Sequence, residues 1–198
     1  MTLTKIITTA LGLFLVLMLQ ACHHSPGWHA KDISSLMPPL AFHLTDENGK
    51  KVTAANYRGK IVMLFFGYTN CPDYCPTTLA KLAKVLGNMP NERDQVRVLF
   101  VSVDPRRDNP ERLAVYTSNF APEVIGLTGT EQALRDLAKR YRTTFGYGKP
   151  DSRGNYEVTH GLAVYVFDKH GRARLMILDD QPVAAITADL KQLISLKD

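Results

Sequence analysis

The chain has 198 residues, 45% of them hydrophobic and 22% charged, enough for one ordinary globular core and not comfortably two. Its formal charge of +5 is mild, and the basic residues are spread out with no stripe, which argues against nucleic acid as a partner. A lipid anchor or an acidic membrane surface suits that charge better.

Residues 1–21 read as a lipoprotein-type signal peptide. "MTLTKIITTALGLFLVLMLQAC" carries Lys5 in a short basic head, an apolar run from Ala10 to Leu19, and then Leu19-Gln20-Ala21-Cys22. The run falls short of the roughly 20 apolar residues that cross a bilayer and has the length of a signal-peptide core. The last four residues resemble a lipobox, with Gln20 standing where small or β-branched residues are usual. Cys22 is the expected lipidation site, and an uncleaved N-terminal anchor is the alternative. Either way the rest of the chain is expected in the cell envelope, membrane-anchored and facing the periplasm or the outside of the cytoplasmic membrane. With Cys22 lipidated, the domain keeps two thiols, Cys71 and Cys75, in an oxidising compartment.

Residues 22–39 read as a tether, in which His23, His24 and His29 are expected to be solvated. From residue 40 to 198 the pattern is that of one α/β domain. "LAFHLTDENGKKVTA" predicts a hairpin turning at Asn48-Gly49. "KIVMLFF" predicts a strand buried on both faces, and residues 76–88 predict a helix with Leu79, Leu82, Ala83 and Leu86 on one side. "QVRVLFVSVD" predicts a second buried strand, "DNPERLAVYTSNF" a capped helix, and "EQALRDLAKRY" an amphipathic one. "HGLAVYVFDKHGRARLMIL" predicts two strands about a turn at Lys169-His170-Gly171, and residues 182–197 a closing helix. This order is that of a thioredoxin-like fold with an N-terminal β-hairpin extension and an inserted helical segment between residues 105 and 141.

"NCPDYCPTTL" places Cys71 and Cys75 four residues apart, between a buried strand and a helix. Helix N-termini favour thiolates, and residues four apart in a helical turn face one side. The spacing alone leaves three readings open: a structural disulfide, a cycling redox disulfide between Cys71 and Cys75, or two legs of a metal site. A third intervening residue opens the loop relative to dithiol exchange proteins and makes room for an ion. His160, in "YEVTHGLAVYVFD", is the candidate third ligand. It is expected at the start of a buried strand beside the cysteine loop, with Gly161 allowing close backbone approach. A set of two thiolates and one imidazole suits copper, as Cu(I) or Cu(II), better than structural zinc, which would want a fourth protein ligand. Asp104 is a weaker candidate ligand, with the turn "DPRRDNP" as its other role. Tyr68, Pro72 and Asp73 are expected to shape the mouth without ligating, and His170 to face solvent.

Four stretches in order, "GKIVMLFFGYTNCPDYCPTTL", "SVDPRRDNPERLAVYTSNF", "IGLTGT" and "VTHGLAVYVFDKHG", resemble the Sco/SenC family of copper-binding, thioredoxin-like proteins from about Phe42 to the end. The resemblance implies a copper metallochaperone holding one ion through Cys71, Cys75 and His160. It implies delivery to the CuA-bearing subunit of cytochrome c oxidase, combined with reduction of that centre's cysteines. A periplasmic thiol reductant and another copper chaperone are the further partners expected. The alternatives are a thiol–disulfide oxidoreductase, the enzyme reading, and a copper or redox sensor.

Overall fold

A computed structural model of the chain describes residues 27–196. The expected signal segment, Cys22, His23 and His24 lie outside the described residues.

The core is set by two apolar runs. β4 (Ile61–Gly67) is buried at every residue, and β5 (Val96–Ser102) at all but Arg97. They pair in parallel, from Ile61↔Val96 to Gly67↔Ser102, joined by α1 (Tyr74–Gly87). A parallel pair needs such a crossover and burial on both faces, which is why neither strand alternates polar with apolar. β6 (Val124–Thr128) continues the parallel run beyond β5, reached through α2 (Pro110–Thr117). Asn109 caps α2 by accepting from the Arg112 N–H at 2.8 Å, as the sequence predicts. The predicted hairpin forms from β2 (His43–Asp46) and β3 (Lys51–Thr53), with Gly49 at φ +75° in the turn, and β2 adds antiparallel to β6.

On the other side, β9 (Val164–Phe167) runs antiparallel to β4, and β10 (Ala173–Ile177) antiparallel to β9. With β1 (Lys31–Asp32) the eight-stranded sheet has the order β1-β10-β9-β4-β5-β6-β2-β3. Closing the chain, α4 (Val183–Ser195) packs on α1 and β4. Strand alternation sends Phe65 to one face with Phe100, and Phe66 to the other with Tyr165. A central sheet crossed over by helices is the thioredoxin-like arrangement that the element order implied.

Four elements depart from the sequence reading. The segment read as a tether is docked from Ala30 onward: β1 pairs with β10, and Ala30 and Ile33 are buried. The stretch from 105 to 141 holds a strand, β6, as well as α2 and α3 (Glu131–Arg140), so it is not purely a helical insertion. The first turn of α1 starts at Tyr74, not at residue 76. A small separate sheet of β7 (Phe145–Tyr147) and β8 (Val158–His160) stands apart from the main one. His160 therefore ends β8, and does not begin the buried strand β9.

Candidate metal centre

The two cysteines and the histidine come from three different places and meet at one end of the sheet. β4 ends at Gly67, the loop 68–73 follows, and Cys75 falls in the first turn of α1. Pro76 sits in that same turn, where its missing N–H leaves nothing unpaired. Asp73 occupies the cap position, yet its side chain makes no capping bond. The Cys75 N–H instead donates toward Cys71 Sγ at 3.5 Å, so the Cys71 sulfur takes the place of a cap. β8 brings His160 in from across the groove, with Nε2 3.4 Å from Cys75 Sγ.

The three potential ligand atoms lie within 4.8 Å of one another, and this is the one such group of three among the described residues. An ion held about 2.0–2.3 Å from three donors sets them roughly 3.7–4.0 Å apart, so closure draws the widest pair in by up to about 1 Å. The tautomer of His160 is fixed by geometry. Its Nδ1 is 2.9 Å from the Gly161 carbonyl, which can only accept, so Nδ1 carries the proton and Nε2 is left with its lone pair toward the sulfurs. Gly161 is required here, since a Cβ would collide with Thr143 Oγ1. The His160 ring meets Phe65 and Tyr68 edge-on, at 6.2 and 5.8 Å between centroids.

Burial sets the protonation states. Cys75 is fully buried, and loss of solvent pushes its thiol well above the ordinary range, with the Tyr68 backbone N–H pulling the other way. The sequence reading of a thiol pair activated by a helix N-terminus is corrected for Cys75: desolvation outweighs the helix end. Burial also lowers His160, which keeps the imidazole neutral and able to ligate. The free Cys75 thiol is thus a protonated S–H placed to donate to His160 Nε2, and a cation would take that proton's place.

Asp104 is not a member of the ligand group. It is fully buried, but its carboxylate already accepts from Arg107 Nε and from the Tyr156 hydroxyl, the latter at 2.7 Å. The carboxylate braces the turn through the Arg107 side chain and not by the side-chain-to-backbone bonds expected; the Asp108 N–H bond to the Asp104 carbonyl, 2.9 Å, is main chain only. The sequence offers Asp108 only as an alternative cap of α2, a place that Asn109 takes. Fully buried, Asp108 accepts from the Thr69 N–H at 2.8 Å, the Thr69 hydroxyl at 2.6 Å and the Ser102 hydroxyl at 2.6 Å. That ties the start of the cysteine loop to the end of β5. An acidic residue close after a buried strand is the signal that could have found it. Arg112 braces the same loop through Thr69 Oγ1 and Asn70.

Tyr68, Pro72 and Asp73 line the groove with Cys71 and His160, as expected. Its volume of about 560 Å³ is far more than an ion alone fills. Cys71 is partly exposed in it while Cys75 lies behind. His29 bonds Asp189 and is not among the residues that line this groove, and His170 is exposed with its N–H on Asp168. No described helix is long and apolar enough to cross a membrane.

The profile of the SCO1/SenC family matches residues 37–195. A SCO2-like protein of Rickettsia prowazekii is 35% identical over 132 residues, covering 66% of this chain and 64% of its own length. The mitochondrial SCO2 homolog of Homo sapiens is 36% identical over 132 residues, 66% of this chain and 50% of that protein. The chain thus spans between half and two thirds of these curated relatives. Among solved structures, copper-bound ScoI of Bradyrhizobium japonicum is 37% identical, with a TM-score of 0.72 over 78% of this chain and 98% of that one.

Proposed function

This chain belongs to the SCO1/SenC family, and on that footing we propose that it is a copper metallochaperone for cytochrome c oxidase. One copper ion is held by Cys71, Cys75 and His160. The observation that supports this reading is the convergence of two sulfurs and an imidazole Nε2 within 4.8 Å, at the mouth of a groove, on a fold shared with a copper-bound relative. Copper here is cargo. Two thiolates and a neutral imidazole give a Cu(I) site of net charge −1, and loading releases the thiol protons to solvent.

Delivery goes by exchange of ligands. An acceptor thiolate reaches Cys71 first, because Cys71 faces the groove, and buried Cys75 lets go after it. The acceptor is the CuA-bearing subunit of the oxidase, and the protein is held in the envelope by lipid on Cys22, facing the periplasm. A periplasmic thiol reductant and an upstream copper chaperone complete the set of partners. When the copper-loaded domain is mixed with the apo CuA domain and the two are separated, the metal should be found on the acceptor and the donor should be left empty. Copper that stays on the donor would overturn the delivery reading.

A second reading is favoured by the exposure of one thiol and the burial of the other. Cys71 attacks an acceptor disulfide, one acceptor thiolate leaves, and Cys75 then displaces the other as the Cys71–Cys75 disulfide forms. Two electrons pass to the acceptor, and the periplasmic reductant restores the pair.

A further inference from the structure

The end of the sheet opposite the metal groove gathers cations that the sequence scatters. β4 starts there at Ile61, Val62 pairs with Phe167 of β9, and the turn 168–172 leads back into β10. The cysteine loop leaves the other end of β4, about 20 Å away. The Gly59 N–H donates to the Lys169 carbonyl at 2.9 Å, which sets Arg58 and Lys60 beside that turn. A Cβ on Gly171 would stand 3.2 Å from Arg58 Nη1. Lys60 Nζ and Arg97 Nη1 both donate to the Asp94 carbonyl, at 2.8 and 3.1 Å. Arg172 and Arg174 reach the Asp168 carboxylate at 2.6 and 3.6 Å.

Six cations therefore share this end, Arg58, Lys60, Arg97, Lys169, Arg172 and Arg174. Against them stand Asp168, Asp94 at one margin, and Asp32, within the field of Arg174, at the other. Asp168 is buried and also accepts from the His170 and Arg172 N–H groups at 3.0 and 2.9 Å, so it is spent inside the fold. The excess is three positive charges at one end of a chain whose whole excess is +5. Arg58 is exposed, and Arg172 has 60% of its side chain in solvent. Arg172 and Arg174 line two hollows of about 370 and 110 Å³, the larger with Met37 and Pro39, the smaller with Leu193 and Leu196. Leu36 and Leu196 stand exposed on the same rim.

We propose that this end is a docking surface for anionic phospholipid, with Arg58, Lys169 and Arg172 on the headgroup phosphates and Leu36 and Leu196 below them. Charge complementarity carries the choice of an anionic partner, and a guanidinium meets a phosphate through paired N–H donors. Leucines set among cations suit the boundary where headgroup phosphates lie over acyl chains. Nucleic acid fits less well. Among the described residues the exposed large apolar side chains at this end are aliphatic, with no ring on which a base could stack. Trp28 packs against the core, with the Arg174 guanidinium 5.8 Å from its ring centre. Seated in this way, the domain keeps the metal groove at the far end of the sheet, open to solvent.

The test uses residues 27–198, which hold every described strand and helix and lack Cys22, so lipidation contributes nothing to the result. Vesicles of phosphatidylcholine mixed with phosphatidylglycerol should bind the protein at least roughly tenfold more tightly than phosphatidylcholine alone, and added salt should release it. Arg58→Gln combined with Lys169→Gln should weaken that binding roughly 25-fold, at about fivefold per cation. Arg172 is left in place because it braces Asp168. Lys149→Gln combined with Arg153→Gln, exposed on the β7–β8 connection, should change the binding by less than about twofold. Equal binding to the two kinds of vesicle, or equal losses in the two double variants, overturns the proposal. So does protein that ignores vesicles yet binds single-stranded DNA. Removal of Cu(I) by a water-soluble chelator should run at the same rate with and without anionic vesicles, and slowing by vesicles would overturn the seating.

Discussion

Gly67 should be as necessary to metal binding as a ligand. A Cβ at this position would stand 2.7 Å from Cys75 Sγ and 2.5 Å from Phe100 Cε2, and both side chains are fully buried. Ordinary contact needs about 3.5–4.0 Å, so in Gly67→Ala the sulfur, the ring or both must give by roughly 1 Å. Overpacking of this kind costs about 1–3 kcal/mol of stability. The larger effect falls on the site: moving Cys75 Sγ by about 1 Å spoils a donor triangle whose sides an ion must set at roughly 3.7–4.0 Å. A loss of roughly 10–100-fold in copper affinity is expected, the size seen when the supports of metal ligands are removed. Competition with a chromophoric Cu(I) chelator measures the affinity, and thermal unfolding of the metal-free protein measures the overpacking. Adding Phe100→Leu makes room on one side and should restore part of the affinity. Gly67→Ala protein that melts lower yet binds Cu(I) as wild type does would refute the reasoning, since the sulfur would not be where Gly67 holds it.

His160→Ala should separate metal binding from thiol chemistry, with copper affinity falling at least tenfold while the rate of exchange with a small disulfide stays within about twofold. Equal losses in both, seen by chelator competition and stopped-flow, would contradict the assigned role. Asp104→Asn keeps the shape of a buried hydrogen-bond hub and removes its charge beside Arg107, so stability should drop by about 1–3 kcal/mol with one copper still bound per chain. Loss of stoichiometric binding in a variant that still folds would return Asp104 to the ligand set. The Arg93–Glu123 pair sets an acid dependence. Arg93 donates to Glu123 at 2.8 and 2.7 Å and holds the carboxyl below its ordinary 4.5. A depressed carboxylate contributes stability above pH 4.5 and loses it as pH falls further. The melting difference between wild type and Arg93→Ala should therefore shrink below that pH, and a constant gap would refute the coupling.

Much of this was legible in the sequence because the relevant signals are local. β4 and β5 announce themselves as unbroken apolar runs, and Asn109-Pro110-Glu111 marks the start of α2. What escaped depends on partners distant in the chain. β1 is two exposed residues with no alternation, and it exists because β10 offers an edge. The β7–β8 hairpin is hidden by a polar, glycine-containing connection, and is held by rings such as Tyr147 and Tyr156, 5.8 Å apart. His160 could be nominated from its chemistry, but its place at the end of β8 follows from that hairpin. The protonation of Cys75 was misjudged for the same reason. A helix terminus is visible in sequence, while the depth at which it is buried is a property of the packed fold.

The measurement closest to the central claim is a titration of residues 27–198, with the thiols reduced, against Cu(I) under chelator competition and against Cu(II) by thiolate-to-copper charge transfer. One tightly bound ion per chain is expected, with affinity lost in Cys71→Ser, in Cys75→Ser and in His160→Ala. Weak binding, or tight binding that does not respond to His160, would contradict the three-ligand site.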